Sequence, residues 1–301
     1  MNYGLLGPVR FWSAGRPFAA GQPRQSLVLA GLLADAGRLV TAEQLVDRVW
    51  GQDPPAGARR ALHSHIARVR KALARAANSG QQPPALLHLS GGYVLEVDPD
   101  LVDAHRFRRL VGEAAEVGRG DRERMALLRQ AVALWRGEPL AGLPGQWASM
   151  FRSGWHGQRV QAAVAWAWAA QRAGDIEAVI APLTDLTTEY PLAESLVAAL
   201  MRVLHSTGRG AEALEYYTIT RARMVSELGT EPGAELQEVH RLVLRRGIDR
   251  PMGTADGVRT LVPHVVDIPG GLTVPLILPE DLTEPEAKRL TDFISSLVKL
   301  A

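Results

Sequence analysis

The sequence contains no cysteine and no long run of apolar residues. Without cysteine, disulfides, thiolate nucleophiles and cysteine metal sites are excluded together. No segment is apolar over the length that a bilayer requires, and the first residues, MNYGLLGPVRFW, lack a basic segment followed by an apolar run. We therefore expect a cytoplasmic protein with no membrane partner.

Acidic residues are absent from residues 54–95. Residues 1–98 hold 11 Lys and Arg against 6 Asp and Glu, whereas the remainder holds 23 against 26. A chain of this length has room for about two domains. The charge asymmetry predicts one part that meets a polyanion and a second part that does not.

Sequence motifs that indicate metal binding, nucleotide binding or catalysis are also missing. The eight histidines show no metal-ligand spacing, and no GxxxxGK[ST] motif for nucleotide phosphates occurs. Asp103 and His105 allow an acid/base or metal pair, but a helix N-cap beside a surface histidine is the simpler interpretation. We predict no catalytic residue, no metal and no cofactor, and an enzyme is the least favoured class.

Residues 54–77, PPAGARRALHSHIARVRKALARAA, combine a helical apolar stripe with charges of one sign. Four apolar residues recur at the spacing of one helix face: Leu62, Ile66, Val69 and Leu73. At about 100° per residue, the rest of the surface can be assigned. The opposite face carries Arg60, Ser64, Ala67, Arg68, Lys71 and Arg75, flanked by His63 and Arg70. A helix of mixed charge is most simply a solvated face, but charge of a single sign favours a phosphate-binding surface.

The segments before the basic helix predict a small sheet and two helices. Residues 3–12 are apolar and β-prone, and residues 14–17 are typical of a turn. A helix follows residues 22–25 and ends at Gly37. Thr41 with a glutamine three residues later forms a capping box that begins the next helix.

A polar loop of residues 78–84 follows the basic helix, and residues 86–97 form two β-prone runs around Ser90-Gly91-Gly92-Tyr93. This pattern predicts a hairpin. Sheet, three helices and a terminal hairpin together predict an α+β winged helix-turn-helix, with the third helix sized for the major groove.

The same residues resemble the OmpR/PhoB-type DNA-binding domain of the SARP (Streptomyces antibiotic regulatory protein) transcriptional activators. The matching motifs are LLGPV from Leu5, PRQ from Pro23, LVTAEQLVDRVWGQDPPAGARRALHSHIARVRKAL from Leu39 and GGYVLEV from Gly91. The wing position before Ser90 is often arginine in that family, and here it is Leu89. A minor-groove contact by the wing is therefore expected only if His88 takes over part of it.

The resemblance also implies residue roles. The position of Arg68 reaches base edges, and those of Trp50, Arg60 and His65 hold the phosphate backbone. With the facial assignment, the predicted DNA-binding residues are Trp50, Arg59, Arg60, His63, Ser64, His65, Arg68, Arg70, Lys71, Arg75 and His88.

From Asp98 onward the pattern is helical. Gly174 and Gly208 lie 34 residues apart, each between two helices, which is the tetratricopeptide (TPR) period. The predicted helices begin at Asp103 and then cover residues 122–135, 158–173, 175–188, 192–206, 211–228 and 235–246. The motifs VDAHRF, LLRQAVALWRGEPLAGL and ELGTEPGAEL resemble the bacterial transcriptional activation domain of the same regulators.

The tail matches no family. Residues 250–257 read as a linker, residues 272–278 as a strand, and Thr283 opens an amphipathic helix. This helix packs either on its own helical domain or against a second chain. The predicted domains are residues 1–97 (winged helix), 98–250 (all-α, TPR-like) and 251–301 (a short strand-helix tail).

The resulting hypothesis is a sequence-specific activator of an antibiotic or other secondary-metabolite gene cluster. By the resemblance, it binds repeated promoter sites on double-stranded DNA as a homodimer and recruits RNA polymerase through its sigma and alpha subunits. The alternative is a TPR-type ligand-sensing or interaction protein whose winged helix binds DNA as a repressor.

Overall fold

The computed structural model describes residues 1–77, 82–248, 261–268 and 272–279. Residues 1–245 form one compact unit, and a second unit begins at Arg246. The first unit consists of a winged helix followed by a helical domain, as predicted. The predicted domain boundaries themselves stay a prediction.

The N-terminal sheet has three antiparallel strands in the order β1-β2-β3. Its strands are β1 (Asn2–Gly4), β2 (Arg10–Ser13) and β3 (Arg16–Ala19). The single apolar run expected over residues 3–12 is therefore two strands, because Gly7 and Pro8 interrupt it. Ala14 and Gly15 form the β2–β3 turn with φ of 47° and 76°, the left-handed values that a tight hairpin requires.

Three helices and a second sheet complete the winged helix. They are α1 (Pro23–Ala34), β4 (Val40–Thr41), α2 (Ala42–Trp50), α3 (Ala58–Ala76), β5 (Leu86–Leu89) and β6 (Gly92–Leu95). The predicted capping box is confirmed, since Gln44 N donates to Thr41 Oγ1 at 3.1 Å and Thr41 N donates to Gln44 Oε1 at 2.9 Å. Strand β4 was not predicted, because two residues are too few to show the alternation of apolar and polar side chains that marks a strand. It pairs with β6, and the strand order of the sheet is β4-β6-β5.

The helical domain follows a 3-10 turn at Pro99–Leu101. Its helices are α4 (Asp103–Ala115), α5 (Asp121–Val132), α6 (Gln146–Ala173), α7 (Glu177–Glu189), α8 (Glu194–Ser206), α9 (Gly210–Leu228) and α10 (Ala234–Ile248). Gly174, the C-cap of α6, and Gly208, which follows the α8 C-cap Thr207, have left-handed φ of 76° and 83°. Their equivalent places after two helices support the repeat predicted from their spacing. Helix α6 begins 12 residues before the predicted Gln158. None of the helices in the described ranges is long and apolar enough to cross a membrane.

Asp103 joins the N-terminal sheet to the helical domain. The N-cap of α4 is Val102, so the prediction that Asp103 caps this helix was wrong. Its buried carboxylate instead accepts hydrogen bonds from Leu5 N at 2.7 Å and Leu6 N at 3.0 Å, and it pairs with Arg136. Burial raises the pKa of Asp103, while these donors and the guanidinium oppose that shift.

A second junction connects α2 with α6. The Arg48 guanidinium lies over the Trp147 ring at 5.5 Å and pairs with Asp35 at 2.7 Å. His105, predicted to lie on the surface, is half-buried with Nε2 2.9 Å from the Leu33 carbonyl oxygen. The winged helix therefore packs on the helical domain through several side-chain contacts and is not joined to it by the chain alone.

In the second unit, the described residues form an antiparallel hairpin of β7 (Leu261–Ile268) and β8 (Leu272–Pro279). The strand predicted over residues 272–278 is confirmed by β8. Strand β7 was not predicted. The predicted linker of residues 250–257 and the helix from Thr283 lie outside the described residues.

Candidate nucleic-acid interface

Helix α3 has one buried and one exposed face, as its sequence predicted. Leu62, Ile66, Val69 and Leu73 are each 1% exposed and belong to the core. The helix is 19 residues long, so it extends roughly 28 Å. A single helix of this kind matches the width of the major groove.

Four cations on the exposed face of α3 are available to an external anion. Arg60, Arg68, Lys71 and Arg75 are exposed, and they make no ion pair with any residue that the structure describes. Ser64 lies among them and donates to the Arg60 carbonyl oxygen at 3.3 Å. We call these four residues the cationic face.

Two other predicted cations already have partners. Arg59 pairs with Glu43, and both side chains are mostly exposed, at 73% and 63%. Such a pair contributes about 0–1 kcal/mol and is easily exchanged for a phosphate. Arg70 donates from Nε at 3.0 Å and from Nη2 at 2.6 Å to the Leu86 carbonyl oxygen, which connects α3 to β5.

One flank of α3 carries a cluster of Trp50, His65 and Arg24. The Trp50 and His65 rings lie 6.0 Å apart, and the Arg24 guanidinium is 5.9 Å from the Trp50 ring. Burial lowers the pKa of His65, and the charges of Arg68 and Arg24 lower it further. Trp50 Nε1 and His65 Nδ1 are buried and have no hydrogen-bond partner among the described residues. The structure thus does not bring the Trp50 N–H to the surface, and its phosphate contact stays a prediction.

The opposite flank of α3 faces the wing, the β5–β6 hairpin. The Tyr93 hydroxyl is 2.7 Å from His63 Nδ1, and the His88 ring stacks on Tyr93 with centroids 4.8 Å apart. Leu89 is 46% exposed beside the turn. Gly92 is required here, because a Cβ would lie 2.2 Å from the carbonyl oxygen of Val40 in β4.

The structure thus places most of the predicted residues on or beside the exposed side of α3, in three groups. The cationic face, with Ser64 among it, makes no ion pair with a described residue. Trp50 and His65 lie on one flank, His63, Arg70 and His88 lie on the other with the wing, and Arg59 pairs with Glu43. Sequence reasoning missed Arg24 and Tyr93 as members of these groups. In the sequence, these two residues could be noticed only as members of the PRQ and GGYVLEV motifs. Within the described ranges, no three His, Asp or Glu side chains are placed so that they hold a metal ion.

A cationic helix face beside a hairpin with one exposed strand has the chemistry of a DNA-binding surface. Arginine and lysine neutralise phosphates without regard to sequence, whereas a guanidinium that reaches the groove floor hydrogen bonds base edges.

Comparison with known proteins agrees with both parts of the fold. Residues 16–95 match the family described as "Transcriptional regulatory protein, C terminal". Residues 102–244 match the "Bacterial transcriptional activator domain". A solved structure of Mycobacterium tuberculosis EmbR in complex with a low-affinity phosphopeptide is similar, with a TM-score of 0.69 and 30% identity over 91% of this chain and 77% of that one.

Two Streptomyces regulators are also similar. The regulatory protein DnrI of Streptomyces peucetius is 35% identical over 261 residues, which are 83% of this chain and 95% of DnrI. The regulatory protein AfsR of Streptomyces coelicolor is 37% identical over 81% of this chain, which spans only 24% of AfsR. With this coverage of DnrI and both domains matched in the same order, the chain belongs to the SARP family of transcriptional regulators.

Proposed function

We propose that this protein is a sequence-specific transcriptional activator of an antibiotic or other secondary-metabolite gene cluster, acting on DNA in the cytoplasm. The proposal rests on the cationic face of α3, which has four exposed cations without ion pairs among the described residues. Beside it lies the wing, whose strand β5 is exposed from Leu87 to Leu89. In this proposal the chain has no catalytic site and needs no cofactor. The membership of the SARP family supports it.

The contacts with DNA divide by position on α3. Arg68, in the cationic face, contacts base edges, and Arg60, Lys71 and Arg75 neutralise phosphates. His65 and Trp50 meet the backbone on one flank, and His63 and His88 meet it on the other. Ser64 and Arg59 complete the surface, since Arg59 exchanges its exposed partner Glu43 for a phosphate.

The helical domain serves assembly and recruitment. Two protomers bind side by side on direct repeats of a promoter and form a homodimer there, and the helical domains contact the sigma and alpha subunits of RNA polymerase. The packing of Asp103 and Arg48 between the two domains supports this idea, because it fixes the position of the helical domain relative to the DNA.

A promoter fusion tests the proposal. Genomic fragments bound by the wild-type chain are selected, placed before a reporter gene and assayed with and without the protein. We expect expression to rise with the wild type and not with Arg68→Ala. Arg129→Ala, which removes an exposed cation from α5, serves as the charge-matched control and should behave as the wild type. Expression that falls or stays unchanged with the wild type would support the repressor alternative instead.

A further inference from the structure

A buried tyrosine hydroxyl contacts an exposed histidine where α3 meets the wing. Tyr93 is 2% exposed, and its hydroxyl lies 2.7 Å from Nδ1 of the exposed His63. The His88 ring stacks on Tyr93 at 4.8 Å and meets His63 edge-on at 5.8 Å. Neither the Tyr93 hydroxyl nor Nε2 of His63 has another hydrogen-bond partner among the described residues.

The contact at Nδ1 bears on which of the two nitrogens of the His63 ring carries the hydrogen. A neutral imidazole carries one N–H, and the partner of one nitrogen determines which nitrogen holds it. The distance fits either direction of donation, and in the tautomer that gives the phenolic hydrogen an acceptor in the described part of the chain, the hydroxyl of Tyr93 donates to Nδ1 of His63. Burial raises the pKa of Tyr93, with the charge of Arg70 opposing, so the hydroxyl keeps its proton at neutral pH. Nε2 of His63 then carries the ring proton.

The position of His63 on α3 indicates what this N–H meets. His63 and Arg70 are seven residues apart and therefore lie on the same flank, and Arg70 contacts the wing at Leu86. When a helix lies in the major groove, its central face meets base edges and its flanks meet the sugar-phosphate walls. A donor on this flank is therefore placed for a phosphate oxygen.

We propose that Tyr93 is a positioning residue for DNA binding: its hydroxyl holds Nδ1 of His63, so that the neutral imidazole donates its Nε2–H to a phosphate oxygen where α3 meets the wing. The inference rests on the proposed DNA-binding function and deepens it. Tyr93 itself does not touch DNA, and His88 covers its ring. Removing the hydroxyl allows the proton to move to Nδ1, which leaves an acceptor facing the phosphate.

Binding of full-length Tyr93→Phe to a selected genomic site and to random DNA at pH 8 tests the inference. We expect both affinities to fall by the same factor, about three- to tenfold, because one hydrogen bond to phosphate is lost. The salt dependence should stay that of the wild type, since no charge is removed. Tyr190→Phe is the matched control: its hydroxyl lies 2.7 Å from Nδ1 of His156 in the helical domain, and its loss should leave DNA binding unchanged.

Comparison with a His63 variant separates positioning from a merely structural role. A structural defect of Tyr93→Phe would add to a change at His63, whereas the loss of a donor held on His63 cannot. A defect of Tyr93→Phe that persists in full in the His63→Ala background would overturn the inference.

Two further variants keep the test decisive if Tyr93→Phe folds poorly. His63→Ala changes an exposed residue and should show the same loss, and Tyr93→Phe should add nothing in that background. His63→Lys should bind well with or without the hydroxyl, because it brings its own donor. Unchanged binding by folded Tyr93→Phe, or a loss confined to the specific site, would overturn the inference. A wild type that binds no DNA would instead contradict the proposed function.

Discussion

Single side chains in the wing determine whether it adds to binding. Leu89 is 46% exposed beside the turn and brings no charge to it. We expect Leu89→Arg to raise DNA affinity, with the gain largest at low salt, because a new cation displaces counterions. Filter binding over a salt series measures this. Leu87→Arg is the control, since Leu87 lies on the same strand but farther from the turn. An affinity unchanged at low salt would mean that the wing tip does not reach DNA.

In the proposed complex with DNA, we expect His65 to make binding depend on pH. In the free protein its pKa is lowered, so its contribution to the free energy of unfolding is present above about pH 6.5 and is lost as the pH falls. Nearby phosphates favour the protonated ring, so DNA binding takes up a proton. We expect affinity to rise about threefold between pH 7.5 and 6, and His65→Gln to reduce that rise.

Fluorescence anisotropy at the two pH values measures the effect. His240→Gln is the matched control, because the pKa of His240 is also lowered by burial but its ring stacks on Tyr217 in the helical domain. A rise that is the same in His65→Gln and in the wild type would show that His65 does not meet phosphate.

At the scale of the elements, α3 and the wing form one unit because Arg70 joins them. Arg70→Ala removes two donors to the Leu86 carbonyl oxygen, and we expect the free energy of unfolding to fall by about 1–2 kcal/mol. Arg75→Ala removes the same charge from an exposed position without an ion pair among the described residues. It should leave stability unchanged and weaken DNA binding. Urea unfolding of both variants measures this, and equal stabilities would contradict the role of Arg70.

Elements with strong local signals could be predicted from the sequence. The apolar stripe and single charge sign of α3 and the Thr41 capping box are local, and both are confirmed. The start of α6 was missed, because Gly154 and Gly157 weaken the helical pattern of its first turns. The partners of Asp103 and Arg70 were also missed. The partners of Asp103 lie 97, 98 and 33 residues away along the chain, and the partner of Arg70 lies 16 residues away. Periodicity carries no information about such contacts.

The exposed surface of α3 in the candidate site could also be predicted in part from the sequence. Helical spacing predicted which residues of α3 are exposed, so the set proposed to meet DNA could be selected from the sequence. The structure adds which of these cations make no ion pair with a described residue and which are held by the wing or by Glu43. That division depends on where β5 and α2 pack, which only the tertiary structure shows.

At the scale of the whole molecule, Asp103 holds the winged helix on the helical domain. Asp103→Ala leaves the buried N–H groups of Leu5 and Leu6 and the guanidinium of Arg136 without their acceptor. We expect the free energy of unfolding to fall by about 3–5 kcal/mol. Asp100→Ala, which breaks the exposed pair with Arg109, should cost at most about 1 kcal/mol. Chemical denaturation measures both, and equal small losses would show that the junction contributes little.

The central claim is that the molecule reads DNA sequence through the cationic face of α3. Arg68→Ala and Arg60→Ala, each assayed on a selected genomic site and on random DNA over a salt series, test it most directly. We expect Arg68→Ala to lose about 1–3 kcal/mol of discrimination at one or two base pairs. Arg60→Ala should weaken all sequences alike and flatten the salt slope by about one. If Arg68→Ala weakened specific and random DNA equally, the claim would be contradicted.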